Sequence, residues 1–274
     1  MQTPISILIR TFNSARSLPL LLSKLQLMPG DEIVIVDSGS TDSTLEIARK
    51  HDARIIVAPR PFNYSKSLNL GFRAVQNAWV LVISSHCIPV VPDLLGVYRR
   101  EIARFPADIV AGYGPALISG KSDRDLDRDQ TSFYSQVDFK KALHICGSQN
   151  TIYPRSAWEQ VPFDETVRTG EDKLWIMAML PRGCRFAYIP AARGANRYQA
   201  PLTYMFRKGY HEARSIRQPD HKPMSIKELS IALLSLVKKR ILGETDTRVW
   251  SRYTAYLLGS FFGAYRDQDN TPDA

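Results

Sequence analysis

The chain has 274 residues, of which 44% are hydrophobic and 23% charged, the composition of an ordinary globular protein with a sizeable core. Its formal net charge of +9 favours anionic partners, namely nucleotides, phosphorylated lipids, nucleic acid or an anionic membrane surface. The three cysteines are widely spaced and form no C-x-x-C pair, so they exclude a disulfide framework and a cysteine zinc site and favour a reducing cytosol.

Neither a signal peptide nor a transmembrane helix is predicted. Residues 1–4 lead straight into an apolar strand, without the basic region and the long apolar region of a secretion signal. The apolar stretches, such as residues 255–264, are shorter than the roughly 20 residues that a membrane-spanning helix needs. We therefore expect a cytoplasmic protein, either soluble or peripheral on the inner face of the cytoplasmic membrane.

The first sixty residues alternate between apolar runs typical of buried strands and amphipathic runs typical of helices. Polar or glycine-containing segments, such as Pro29-Gly30, separate these runs. The alternation predicts an α/β fold with a doubly wound, mostly parallel sheet. The predicted elements are a strand at 5–9, a helix at 15–27, a strand at 32–37, a helix at 43–50 and a strand at 54–57.

Asp37 ends the second of these strands and marks a candidate ligand site. The four aliphatic residues before it predict a strand that is covered on both faces. Gly39 lets the backbone turn, and residues 40–42 offer oxygen atoms that cap the next helix. Open α/β sheets bind ligands at the carboxyl ends of their strands. Arg10 and Thr11 end the first strand, and we expect them beside Asp37 on the same rim.

The chain up to residue 200 continues with further strands and helices. A polar and aromatic loop at 61–66 opens a helix that runs to residue 76. The mixed-charge run at 121–129 is predicted to be a solvated loop. The last strand, at 185–189, is predicted to lie at the edge of the sheet. The other predicted elements are strands at 79–83, 109–112 and 145–153 and helices at 92–104, 155–160 and 171–180.

Residues 201–274 differ in character, so we predict two domains, 1–200 and 201–274. Aromatic and basic residues alternate after residue 202, and two amphipathic helices follow. Their apolar stripes suit packing in a core, contact with a membrane surface or contact with a partner. The stripes consist of Ile226, Leu229, Leu233, Leu236 and Val237 in the first helix and Trp250, Tyr253, Leu257, Phe261 and Tyr265 in the second.

The sequence lacks the motifs of several enzyme classes that share this architecture. The first strand ends in RTFNSAR and carries no G-x-G-x-x-G, and no G-x-x-x-x-G-K-[ST] occurs, which disfavours a dinucleotide-dependent oxidoreductase and a P-loop enzyme. The G-x-S-x-G turn of the α/β-hydrolases is also absent.

Five polar segments remain at predicted strand ends and helix starts: IRTFN, EIVIVDSGSTDST, FNYSKSLNLGF, SSHCIP and TGEDKLW. Their order and spacing over residues 5–188 resemble the family-two glycosyltransferases of the GT-A fold, and especially the rhamnosyltransferase-like branch of surface polysaccharide synthesis. The resemblance implies transfer of a sugar from a nucleotide-sugar donor to a hydroxyl of a glycan or lipid-linked glycan acceptor.

The resemblance also implies roles for individual residues. Asp172 would be the base that takes the proton of the acceptor hydroxyl in an inverting transfer. Glu171 would assist it or would only stabilise the start of its helix, where acidic residues are favourable. Asp37 would hydrogen-bond the base or the ribose, or it would only be a residue of the turn that precedes the helix. The full set of expected donor-binding residues is Arg10, Thr11, Asn13, Asp37, Ser38, Lys66, Asn69, Ser85 and His86.

The segment Ser84-Ser85-His86-Cys87 departs from the family pattern. The family has an acidic motif there whose last carboxylate holds Mg²⁺ or Mn²⁺, and this chain has no carboxylate at that place. A second metal ligand, a histidine expected at 192–198, is also missing. Hard divalent ions prefer oxygen ligands, so we expect no metal site and no required cofactor. Cations would hold the leaving phosphate instead, including Arg193, Arg197 and Lys208.

The sequence therefore leaves two alternative functions. The first is a metal-independent inverting glycosyltransferase of surface polysaccharide, capsule or lipopolysaccharide synthesis. The second is a catalytically degenerate GT-A protein that binds or organises components of a glycan assembly complex, which the lost acidic motif favours. A nucleic-acid-binding role is disfavoured, because the basic residues form no recognised motif.

Overall fold

A computed structural model describes residues 3–118, 130–138, 146–167, 169–196, 201–215, 226–241 and 247–265. These residues form two compact units. The larger unit contains two β-sheets and the helices that cover them, and the smaller unit contains the three C-terminal helices.

The main sheet has eight strands. Four parallel strands form one half, and the other half includes a strand that runs antiparallel to both of its neighbours. In spatial order the strands are β3 (Arg54–Val57), β2 (Glu32–Asp37), β1 (Ile5–Thr11), β4 (Trp79–Ser84), β9 (Asn150–Pro154), β6 (Ile109–Tyr113), β10 (Arg185–Tyr188) and β8 (Ser132–Tyr134).

A second sheet has three short strands, in the order β5 (Cys87–Pro89), β11 (Gly194–Asn196) and β7 (Ala116–Ile118). The helices of the larger unit are α1 (Leu18–Leu22), α2 (Thr44–Lys50), α3 (Tyr64–Ala74), α4 (Leu94–Ile102), α5 (Arg155–Gln160) and α6 (Glu171–Met179). The predicted α/β fold with a mostly parallel sheet is confirmed.

The aliphatic strands are buried on both faces, as predicted. Ile7 and Ile35 pack with helices α1 and α4 in one layer of the core, while Leu8 and Val34 pack with α3 in the other. The register places Thr11 opposite Asp37 and Arg10 opposite Ser84. The carboxyl ends of β1, β2 and β4 therefore share one rim.

Several predicted boundaries are wrong. The strand predicted at 185–189 is not at the edge, because β8 pairs with its outer side. The strand predicted at 145–153 begins only at Asn150, since residues 146–149 form a turn, while residue 145 lies outside the described residues. The first helix is limited to Leu18–Leu22. The loop predicted at 121–129 lies outside the described residues.

The smaller unit is built from α7 (Leu202–Ser215), α8 (Ile226–Ile241) and α9 (Thr247–Tyr265). The predictions included α8 and α9 but not α7. Helices α7 and α9 approach closely at two glycines: a Cβ at Gly209 would meet the carbonyl oxygen of Tyr256, and one at Gly259 would meet that of Phe206. Within the described residues, no helix is both long enough and apolar enough to cross a membrane.

Candidate active site

The turn after β2 is organised by the carboxylate of Asp37. Its Oδ1 accepts hydrogen bonds from the backbone N–H groups of Gly39 (2.9 Å) and Ser40 (2.7 Å), and its Oδ2 accepts from the hydroxyls of Thr11 (2.7 Å) and Ser40 (2.6 Å). Asp37 is 1% exposed. Since a carboxylate has about four acceptor positions, the protein itself fills them all. This arrangement argues against direct contact between Asp37 and the nucleoside.

The predicted neighbours Thr11, Asn13 and Ser38 are brought to the same turn. The N–H of Ser38 donates to the carbonyl oxygen of Thr11 (2.9 Å). Asn13 has a positive φ of 46°, and its Oδ1 accepts from the N–H of Thr41 (2.8 Å). The side chain of Thr11 is buried beneath the turn, whereas Asn13 and Ser38 are at least partly exposed. The exposed part of the rim is therefore made by Asn13 and Ser38.

Two exposed residues at this rim were missed by the sequence predictions. The guanidinium of Arg60 lies against the Cα of Gly39, where a Cβ would come within 2.7 Å of Nη2. Phe12, between Thr11 and Asn13, is 61% exposed. An exposed aromatic ring and an exposed guanidinium suit a base and a phosphate respectively. Their position in the sequence could have indicated them, since each residue follows a strand of the parallel half of the sheet.

Helix α3 brings Asn63, Lys66 and Asn69 near the rim, but only Lys66 is exposed. The Nδ2 of Asn69 donates to the carbonyl oxygen of Phe163 and to Glu165, and its Oδ1 accepts from Trp158 and from the N–H of Phe163, all at 2.8 to 3.0 Å. The predicted donor contact by Asn69 therefore conflicts with the structure, because its amide is used to hold the segment before α6.

Arg10 connects the end of β1 to the start of α6. Its Nη1 donates to Glu171 Oε1 (3.1 Å) and its Nη2 donates to Ser148 Oγ (2.8 Å), while its Cζ lies 5.1 Å from the centre of the Tyr64 ring. The hydroxyl of Ser148 donates in turn to Glu171 Oε1 (3.2 Å). The side chains of Arg10 and Glu171 are only 13% and 5% exposed. Arg10 thus holds Glu171 at the rim, a role different from the predicted contact with the donor.

Asp172 is the partly exposed member of the acidic pair. Its Oδ2 accepts from the backbone N–H of Ser148 (2.6 Å) and its Oδ1 from the N–H of Lys173 (2.8 Å). Because Ser148 also bonds Arg10 and Glu171, one turn before β9 fixes both carboxylates beside the end of β1. Asp172 is therefore the carboxylate that a substrate can reach.

Glu171 is buried and Asp172 is partly exposed, and burial changes the pKa of Glu171. Desolvation raises the pKa of Glu171, and the neighbouring charge of Asp172 raises it further, while Arg10 opposes the rise. A raised pKa in a buried carboxyl disfavours its ionised form. The buried Glu171 thus suits a structural role.

The segment at Ser85, His86 and Cys87 does not fit a hard divalent cation. The hydroxyl of Ser85 is buried and bonds the hydroxyl of Ser14 (2.8 Å). Burial raises the pKa of the Cys87 thiol to about 12, so it is protonated at neutral pH. Within the described part of the chain, no group of three or more histidine, cysteine or acidic side chains is placed to hold a metal ion. His86 is partly exposed.

The predicted phosphate-binding cations belong to different parts of the chain. Arg193 precedes β11, and its Nε donates to the carbonyl oxygen of Pro190 (3.0 Å). Lys208 is in α7 of the smaller unit. Arg197 lies outside the described residues.

Solved glycosyltransferases share this fold. A mannosyltransferase from Pyrobaculum calidifontis, determined with GDP-Man and Mn²⁺, has a TM-score of 0.67 at 14% identity, covering 98% of this chain and 89% of that chain. Glucosyl-3-phosphoglycerate synthase from Mycobacterium tuberculosis, determined with Mn²⁺, UDP-glucose and glycerol 3-phosphate, has a TM-score of 0.57 at 17% identity, with coverage of 78% and 79%. These similarities confirm the predicted GT-A fold.

Curated relatives match over part of their length. The succinoglycan biosynthesis protein ExoO of Rhizobium meliloti is 28% identical over 179 residues, covering 59% of this chain and 50% of that protein. The uncharacterized glycosyltransferase Rv0539 of Mycobacterium tuberculosis is 31% identical over 81 residues, covering 30% of this chain and 36% of that protein. The chain therefore spans half or less of the length of these relatives.

Residues 6–161, more than half of the chain, match the sequence profile described as "Glycosyl transferase family 2". The matched region contains β1, the Asp37 turn, Arg60, α3 and Ser148, which together form most of the site described above. The chain belongs to glycosyl transferase family 2.

Proposed function

We propose that the protein is an inverting glycosyltransferase that moves a sugar from a nucleotide-sugar to a hydroxyl of a glycan acceptor in surface polysaccharide, capsule or lipopolysaccharide synthesis. The observation that carries the proposal is the partly exposed Asp172 carboxylate, held by the Ser148 amide next to the strand ends of the parallel sheet. The name of the relative ExoO, a succinoglycan biosynthesis protein, supports the polysaccharide class of acceptor.

The rim around the Asp37 turn would bind the nucleotide. Phe12 offers an exposed ring on which a base stacks, and Asn13 and Ser38 offer polar groups to the base or ribose. Asp37 acts indirectly, because it fixes the turn on which these residues stand. The four hydrogen bonds to its carboxylate stabilise the conformation of the turn.

Transfer proceeds by a single displacement. The acceptor oxygen attacks the anomeric carbon from the face opposite the nucleoside diphosphate, and Asp172 takes the proton of the acceptor hydroxyl. The bond between the anomeric carbon and the phosphate oxygen breaks, and the diphosphate leaves with its electron pair. The new glycosidic bond has the inverted anomeric configuration.

We propose that this reaction requires no divalent metal, because the segment that carries the metal-binding carboxylate in the family reads Ser84-Ser85-His86-Cys87 here. Charge on the leaving diphosphate would instead be stabilised by exposed cations at the rim. Arg60, against the Asp37 turn, and Lys66, in the first turn of α3, are the exposed candidates. His86 would add a hydrogen-bond donor.

The location of these site residues suggests different roles for the two domains. Residues 1–200 would form the transferase domain, since every group invoked above lies within it. Residues 201–274 would form a helical extension that serves acceptor binding or location.

Turnover of a nucleotide-sugar is the direct test. The full chain is titrated calorimetrically with UDP-, GDP-, dTDP- and CMP-sugars, and release of the nucleotide is followed for any donor that binds. Binding with release, faster in the presence of a glycan acceptor, supports the transferase. The lost acidic motif favours the alternative of a degenerate scaffold protein, for which donors would bind without release or would not bind at all.

A further inference from the structure

Helix α8 presents an unusual amount of aliphatic surface to solvent. Five of its branched side chains are more than two-fifths exposed: Ile226 (72%), Ile231 (56%), Leu234 (67%), Val237 (41%) and Ile241 (78%). Isolated exposed aliphatic residues are common on proteins, but a contiguous set marks a binding surface. The sequence predicted Ile226 and Val237 on one face with Leu229; Leu229 is only 9% exposed, so part of that face is buried.

Four of these five residues form one stripe along the helix. At 3.6 residues per turn, Ile226, Leu234, Val237 and Ile241 fall within an arc of about 80° around the helix axis, and the stripe is about 22 Å long. Leu229 lies about 60° outside this arc and is buried. Helix α8 therefore carries an exposed apolar stripe beside a buried apolar position.

The charge of α8 indicates which kind of partner binds its exposed apolar stripe. Its sequence IKELSIALLSLVKKRI contains four basic residues and one acidic residue, and Lys238 is exposed next to Val237. A helix with an apolar stripe and an excess of basic residues is typical of segments that lie in the surface of an anionic bilayer. A second copy of the helix fits less well, because four cations on each copy would repel one another.

We propose that α8 lies in the headgroup region of a bilayer that contains anionic lipid, with the stripe of Ile226, Leu234, Val237 and Ile241 in contact with the acyl chains. This surface is separate from the proposed transfer reaction. It would keep the protein at the membrane whether or not a sugar is transferred. The length of the stripe, about 22 Å along the bilayer plane, allows several lipids to contact it at once.

Vesicle co-sedimentation tests the proposal with the full chain and without any substrate. Vesicles of phosphatidylcholine alone are compared with vesicles of phosphatidylcholine and phosphatidylglycerol, at low and at high salt. The variant Leu234→Asp places a charge in the stripe. Val137→Asp makes the same type of change at a residue that is 93% exposed in the larger unit, and serves as the matched control. Thermal unfolding confirms that both variants are folded.

We expect binding to the anionic vesicles that weakens at high salt, because the electrostatic part of the attraction is screened. Leu234→Asp should lower the partition coefficient at least about 10-fold, the loss expected when one buried leucine is removed from the apolar phase. Val137→Asp should bind like the native protein. No binding to anionic vesicles, or equal binding by Leu234→Asp, overturns the proposal. A dimer that Leu234→Asp dissociates, without vesicle binding, overturns it in favour of a second copy.

Discussion

The backbone N–H of Ser148 donates a 2.6 Å hydrogen bond to Oδ2 of Asp172, and this contact joins the turn before β9 to the first turn of α6. The hydroxyl of the same serine bonds Arg10 and Glu171. The base proposed for the transfer is thus oriented by a residue that belongs to a different part of the chain. Its geometry depends on the central antiparallel strand as much as on its own helix.

Replacement of Asp172 by asparagine should abolish proton acceptance while keeping the hydrogen bond to Ser148. We expect the transfer rate to fall by about 10² to 10⁴, the usual contribution of a general base, with the donor affinity unchanged. Asp52→Asn is the matched control, because Asp52 is exposed in the turn before β3, and asparagine tolerates its φ of 52°. An unchanged rate in Asp172→Asn would refute the assignment of the base.

Removal of Arg10 should destabilise the fold, because it leaves the buried Glu171 without its cation. We expect Arg10→Met to lower the free energy of unfolding by about 3 to 5 kcal/mol, measured by urea denaturation. The double variant with Glu171→Met should lose less than Arg10→Met alone, since no buried charge remains unpaired.

The exposed ion pair of Lys50 with Glu46 provides the control for this measurement. Lys50→Met should leave the urea midpoint almost unchanged, as exposed pairs contribute little. If Arg10→Met behaves like Lys50→Met, or if the losses at Arg10 and Glu171 simply add, the two residues are not coupled as the 3.1 Å contact indicates.

The raised pKa of Glu171 predicts a dependence of stability on pH. When the pKa of a group is higher in the folded state, its contribution to stability is complete below the unfolded pKa and is lost as the pH rises through the folded pKa. Glutamine cannot ionise. The stability of the native protein relative to Glu171→Gln should therefore fall as the pH rises from the ordinary pKa of a glutamate through the raised pKa of Glu171 in the folded state. A constant difference across this range would contradict the raised pKa.

Gly39 should be required both for its backbone conformation and for its contact with Arg60. Gly39→Ala places a side chain at a φ of 89° and within 2.7 Å of the guanidinium. Gly183→Ala has the same backbone problem, with a φ of 80° but no neighbour within 4 Å. Each should lose about 1 to 2 kcal/mol of stability. Only Gly39→Ala should weaken nucleotide binding, and equal affinities would argue against Arg60 as a donor ligand.

Metal removal gives a prediction that concerns the leaving group. Transfer should continue at the same rate after treatment with EDTA, because the family's metal-binding carboxylate is absent from Ser84-Ser85-His86-Cys87. The same assay with added Mn²⁺ checks for stimulation. Loss of activity in EDTA that Mn²⁺ restores would show that other groups hold a metal.

Local sequence was sufficient where neighbouring residues alone decide the structure. The continuous aliphatic run before Asp37 predicted β2 and its burial, and the strand at 54–57 and the helix at 155–160 were predicted with their observed bounds. The order of the five polar segments likewise indicated the glycosyltransferase family. These features depend on periodicity, turn residues and motifs that are continuous in the chain.

Only the tertiary structure decided how the polar side chains are used. Asp37 and Asn69 appeared in the sequence as ligands, but four hydrogen bonds occupy each of them, and their partners include residues far away in the chain. Arg60 and Ser148 had no distinguishing motif and reached the site because the sheet aligns strand ends. A sequence determines which groups are available, whereas packing decides which are satisfied internally and which remain exposed to a substrate.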